Sequence, residues 1–139
     1  MKIATWLLAL APALACAAPH DADSPTLATA PREVLLQHFT GEVVRLWLRD
    51  RDCAARKHEV CRVDFAPIWD SQDPVGTTVK LRWDDERGRV VATLSAVNGS
   101  VRTLTYSLSR VGSMWRIADI GYGAGRPSLR QLLDAPPSR

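Results

Sequence analysis

Between residues 32 and 50 the apolar side chains return every three or four positions. Leu35, Phe39, Val43 and Leu46 set the stripe and Leu36 and Trp47 widen it, so the spacing predicts a single amphipathic helix over 32–50 with one face turned to a core. Pro31, with its fixed φ and missing N–H, suits the first helical position, and Glu33 is well placed in the first turn. Gly41 weakens the middle of this helix. From Gly76 onward the period drops to two. Val79, Leu81 and Trp83 fall on one side of a strand and Lys80 and Arg82 on the other, which predicts a half-buried strand. "DDERGR" makes the next turn, "VVATLSAV" a second strand, and Asn98-Gly99 a hairpin before "SVRTLTYSLSRV", where Leu104, Tyr106 and Leu108 alternate. Gly112-Ser113 turns the chain into a fourth strand, "MWRIADIGY". There the parity of Trp115 and Ile117 conflicts with that of Ile120 and Tyr122, which predicts a bulge or bend near Ala118 and Asp119. Leu129, Leu132 and Leu133 then form the apolar face of a short terminal helix opened by Pro127 or Ser128, and 135–139 should be a loose tail.

Two further segments lie outside this periodic region. "IATWLLALAPALA" is too short to span a bilayer and ends in small residues, as a secretory signal does, so 1–17 reads as a signal peptide and the chain as exported to the periplasm. Cleavage after "ACA" would release a soluble form; cleavage before Cys16, at a loose lipobox, would leave that cysteine to carry a lipid anchor. Residues 18–31, rich in Pro, Ala and Asp, read as a disordered tether. What remains, 32–134, is one domain's worth of chain.

A helix followed by a four-stranded antiparallel meander is an α+β layout in which a curved sheet packs on the helix. The order of elements resembles the cystatin-like, nuclear transport factor 2-like superfamily, whose sheet forms a cone. More narrowly, "WRIADIGYGAGRPSLRQLL" and "DSQDP" are similar to the tryptophan strand with its Ser-Leu-Arg turn, and to the Gln-Asp element, of the bacterial envelope family of unknown function that includes the YbjP and YqhG type lipoproteins. The likeness covers most of 32–134; "HFTG" departs from the more aromatic helix start of that family. It implies fold and compartment rather than an activity, and it allows a homodimer through the open sheet.

Composition narrows the chemistry. Of 18 basic residues Lys2 leaves with the signal, so 17 face 15 acids, a balance that gives no nucleic-acid interface. His20, His38 and His58 fit no paired metal motif, no nucleophile elbow or phosphate-binding glycine loop is present, and no cofactor is expected. In "DFAPIWDSQD", Asp64, Asp70 and Asp73 lie beside Trp69 and Gln72; Asp70 and Asp73 could sit at a pocket mouth as ligand contacts, or could simply cap turns. Trp69, Trp83 and Trp115 could line such a pocket or fill the core, while Asp84, Asp85 and Glu86 read as a solvated hairpin tip. Fifteen arginines stand against three lysines, and Arg82, Arg102, Arg110 and Arg116 could present guanidinium forks to a carboxylate partner or merely solvate the outer sheet.

"CAARKHEVC", 53–61, holds His58 and Glu59 between two cysteines. Its spacing matches no standard zinc site, and in an oxidising compartment Cys53 and Cys61 should pair as a staple. The expected function is therefore that of a non-enzymatic envelope binding protein, in its sharpest form an immunity protein that occludes a secreted antibacterial effector through its sheet face or the "WDDERGR" tip. The alternative is a cone whose pocket binds or converts a small ligand at Asp70, Asp73 and the tryptophans.

Overall fold

The computed structural model describes residues 29–72 and 76–137. The signal peptide, Cys16, the tether up to residue 28 and Asp73 lie outside the described residues. In chain order come α1 (Arg32–His38), α2 (Gly41–Lys57), β1 (Thr78–Asp84), β2 (Arg89–Ser95), β3 (Val101–Val111), β4 (Met114–Gly121) and α3 (Leu129–Asp134). The strands form one antiparallel sheet in the order β1-β2-β3-β4, so the α+β layout holds.

The expected single helix is two. At Phe39 the backbone turns extended, and the next amide, of Thr40, donates to the Ile117 carbonyl of β4 at 2.9 Å. Thr40 is a favourable residue type for opening a second helix, although its side chain makes no capping bond, and a Cβ placed on Gly41, at the first position, would meet nothing within 4 Å. The break lets the chain bond β4 at its outer edge while Leu35, Phe39, Val43 and Leu46 still share the core. Propensity and sheet bonding agree at this point, whereas apolar spacing alone ran straight through it. Pro31 stands one position before α1, and its carbonyl accepts from Val34 and Leu35, both at 3.1 Å. α2 continues past residue 50 to His58, which ends it in the left-handed conformation, φ 57°.

The conflict of parity in β4 resolves as expected. Ser107 faces Asp119 and Leu108 faces Ile117, so Ala118 is the extra residue of a bulge. The bulge returns Ile117 and Ile120 to the same side of the sheet. α3 begins with a reciprocal cap: Ser128 Oγ accepts from the Gln131 amide, and the Gln131 side chain accepts from the Ser128 amide.

Cross-strand partners define the inner face. Trp83 lies opposite Val90, then Tyr106, then Ile120; Leu81 opposite Ala92, then Leu104; Val79 opposite Leu94, then Arg102. Ala92, Leu94, Leu104 and Ile120 are buried against Phe39, Val43, Val44 and Trp47 from the helices. β1 is different. Its apolar row points the same way as predicted, yet Val79 is 39%, Leu81 68% and Trp83 44% exposed, so the expected half-buried strand is not half buried. The helices pack on the β4 side, and β1, three strands away at the other end of the sheet, is left exposed.

Cys53, in the last turns of α2, is bonded to Cys61 with an S–S distance of 2.03 Å. The staple closes the tight left-handed exit at His58 and starts the long connection to β1. Closing a loop of sequence separation 8 stabilises the fold by about 2.5 kcal/mol in the chain-entropy treatment. Replacing both cysteines by serine should therefore lower the free energy of urea unfolding by about that amount; an unchanged unfolding midpoint, or two free thiols in the unreduced protein, would contradict the staple.

Candidate functional site

The connection from Cys61 to Gln72 is tied to the inner face by polar contacts. Ala66 and Ser71 form a local bridge, and the turn between them presents its carbonyls to the sheet. Tyr106 Oη donates to the Ile68 carbonyl at 2.6 Å, Tyr122 Oη to Pro67 at 3.2 Å, and Arg102 Nη1 to Asp70 at 2.7 Å. Phe65 packs edge-on to the Tyr122 ring, with centroids 5.4 Å apart. Asp70, itself at φ 49°, accepts both Arg126 Nη1 at 2.6 Å and Nη2 at 2.8 Å, and Arg126 lies over the Tyr122 ring. The carboxylate is only 7% exposed, whereas Arg126 is half exposed. The bidentate bond holds the Arg126 guanidinium charged by raising its pKa, an effect partly offset by desolvation.

Asp70, expected at a pocket mouth, is instead part of this strap, and Arg102, expected as a fork for a carboxylate partner or on a solvated outer sheet, turns inward and donates to the Asp70 carbonyl. Trp69 is partly buried against the core, and Gln72 holds the Asp64 carbonyl at 3.4 Å. Arg116 is likewise committed inward: its Nε donates to the Leu36 carbonyl at 2.8 Å and its Nη1 to that of Trp115 at 3.0 Å. It locks α1 to β4 rather than offering a fork to a partner. Five arginines, Arg49, Arg51, Arg62, Arg102 and Arg116, each donate to a backbone carbonyl distant in sequence. The arginine bias thus fastens loops and helix ends. Buried Asp50 pairs with Arg62 at 3.1 Å and joins α2 to the same strap.

A second group forms where the β1–β2 and β3–β4 hairpins end. Trp83 and Trp115 meet edge to face with centroids 5.9 Å apart, and Arg110 stands 5.5 Å over the Trp115 ring. Trp83 Nε1 donates to Asp85 Oδ1 at 2.9 Å, and Asp84 pairs with Arg87 at 3.6 Å. Asp85–Arg87 makes a single 3-10 turn closed by Gly88 in the left-handed region, φ 56°. Both tryptophans are nearly half exposed, and Leu81 extends the apolar surface along β1. Trp83 and Trp115 therefore line no common pocket with Trp69. Arg82 stands on the outer face, exposed.

Sequence reasoning missed Arg126, whose role depends on a pairing across 56 positions for which no local pattern exists. It also missed a cavity of about 340 Å³ between α2, the strap and α3, lined by Trp47, Val63, Phe65 and Leu133 with Asp50 at its wall. Among the described residues no three of His, Cys, Asp and Glu converge as metal ligands, and no helix is long and apolar enough to cross a membrane. The chain matches no family model, no curated protein and no solved structure.

The two phenols anchoring the strap must stay neutral. Burial pushes Tyr106 up to about 12, and burial together with the nearby Asp70 and Asp119 carboxylates pushes Tyr122 further. A folded pKa raised above the unfolded one contributes stability that is complete below about pH 10 and is lost as pH rises toward 12. Phenolate absorbance should therefore stay low in the folded protein up to about pH 10 and rise together with unfolding. Ordinary tyrosine titration near pH 10 without loss of structure would show that the strap does not bury them.

Proposed function

We propose that this is an exported, non-enzymatic binding protein of the bacterial envelope, and in its sharpest form an immunity protein that neutralises an antibacterial effector by steric occlusion. The observation that carries the reading is the uncovered surface of Leu81, Trp83 and Trp115 with Arg110 beside it. Tryptophan and arginine are the residue types that dominate binding energy at interfaces, and contiguous exposed apolar surface on a small domain marks a site of association. Asp70, the acid an enzyme of this layout would need free, is bound at both oxygens by Arg126, which supports binding over acid–base catalysis. The described helix-then-meander order is compatible with the cystatin-like, nuclear transport factor 2-like architecture and with kinship to the YbjP and YqhG type lipoproteins, and both belong to the proposal, as does export to the periplasm, soluble or anchored at Cys16.

A small-ligand role is the second reading. It is favoured by the cavity beside Trp47 and Phe65, away from the residues that the sequence suggested for it.

An effector gene next to this one, and a stoichiometric complex of the two purified proteins, are the expected findings. Trp83→Ala should weaken that complex about thirtyfold, as loss of a central aromatic anchor does, without changing the unfolding midpoint much. If no neighbouring effector exists and envelope extracts yield no stoichiometric partner, the inhibitor reading fails.

A further inference from the structure

β1 is the end of the sheet, and among the described residues nothing pairs with its outer edge. A strand in that position offers a row of free N–H and C=O groups, and proteins blunt it with edge charges, a bulge, a proline or a covering segment. Across Thr78–Asp84 β1 has the charges, Lys80 and Arg82, but no proline and no bulge, since its register with β2 is unbroken; the edge is thereby closed to like-charged strands and open to oppositely charged ones. Two rows of side chains flank the open edge. Inside lie Val79, Leu81 and Trp83; outside lie Lys80 and Arg82, both exposed. The cross-strand neighbours of the two cations are Thr93 and Val91, which carry no charge, and Asp84, next along the same row, pairs with Arg87 at 3.6 Å, so among the described residues no carboxylate is bonded to either cation.

The geometry points to β1 as the acceptor of an extended segment from a partner protein, added antiparallel as a fifth strand, with apolar side chains on the inner side and carboxylates on the outer. This rests on reading the protein as a binding module and names how it binds. The backbone edge would supply the hydrogen bonds, and the two rows would choose the sequence. Apolar residues opposite Val79, Leu81 and Trp83 would cover the row that the helices leave bare. Acidic residues opposite Lys80 and Arg82 would meet unopposed charge of the right sign.

The same charges argue against a second copy of this chain. An antiparallel twofold pairing that keeps the apolar row on one face and overlaps five residues or more of β1 can centre only on Lys80, Leu81 or Arg82. The first sets Lys80 against Lys80, the second sets Lys80 against Arg82 twice, and the third sets Arg82 against Arg82 while setting Lys80 against Asp84 twice. The first two place cations opposite cations with nothing to offset them, the arrangement that sheets avoid; the third overlaps only five residues and draws on an Asp84 that already pairs with Arg87.

The test uses a synthetic peptide alternating valine and glutamate, long enough to span β1, titrated into the disulfide-bonded protein by calorimetry. It should bind, a valine–lysine peptide should not, and the charge swap K80E/R82E should weaken the glutamate peptide about tenfold and favour the lysine peptide. Both substituted side chains are exposed on the outer face, so the variant should keep the parent unfolding midpoint. Methylating the peptide amides on alternate residues, in the two available phases, should abolish binding in one phase only, because only one set of amides faces the edge. Equal affinity for the two peptides, indifference to the charge swap, or equal binding by both methylated phases would overturn the inference. So would a dimer, seen by sedimentation, that dissociates in L81E while the peptide does not compete. A stoichiometric effector whose affinity K80E/R82E leaves unchanged would remove this docking mode and spare the inhibitor reading; peptide binding with no effector found would do the reverse.

Discussion

The helices gather at one end of the sheet and leave β1, at the other end, without a helical cover, and this one-sided packing governs how the described residues are arranged. α1, α2 and α3 gather toward β4, where the backbone of Thr40 bonds the strand edge and Phe39 fills the space beneath. The core is consequently filled beneath Ala92, Leu94, Leu104, Tyr106 and Ile120 of β2, β3 and β4 and absent over β1. Val79, Leu81 and Trp83 continue the inner rows formed by Leu94, Ala92 and Val90, but no helix reaches them. An apolar row left in water at the end of the sheet forgoes the stabilisation that burial would give.

The other end of the inner face is closed by different means. The strap from Cys61 to Gln72 packs Val63, Phe65, Ile68 and Trp69 against the core and is fixed in register by directional bonds: two phenols, a half-buried guanidinium and the Asp70–Arg126 fork. These bonds fix the path of the connection without a regular element. They also leave Arg102 Nε and Arg130 Nε buried with no partner, a modest cost of using a large planar group in a crowded place.

Periodicity made most of the fold legible. The sheet, its hairpins at Asn98-Gly99 and Gly112-Ser113, the bulge at Ala118 and the terminal helix all follow from local spacing and turn chemistry. The break at Phe39–Thr40 was less visible, because a stripe of Leu35, Phe39, Val43 and Leu46 reads the same whether or not the helix is interrupted; only the bond to Ile117, which is 77 residues further on (117 − 40), separates the two cases. The direction of the β1 side chains was legible and their burial was not. Parity is a property of one strand, whereas burial depends on how far a neighbouring layer extends. The candidate site suffered from the same limit. Asp70 and Arg102 were singled out for their chemistry, but their partners, Arg126 and a backbone carbonyl of the strap, come from tertiary folding. Trp69, Trp83 and Trp115, grouped by residue type as pocket lining or core, separate in the structure: Trp69 packs against the core, while Trp83 and Trp115 meet each other and face solvent.

The unequal use of the two cationic residues has a consequence for reactivity. Guanidinium groups on Arg49, Arg51, Arg62, Arg102 and Arg116 are occupied by carbonyls that hold the chain together, while the described lysines, Lys57 and Lys80, lie at the surface. Acylation of amines would therefore remove surface charge at Lys57 and Lys80 and leave the architecture standing. Dicarbonyl reagents, which consume guanidinium groups, would attack the fastenings themselves, so chemical ageing of this protein would damage its fold through arginine before it touched its fold through lysine.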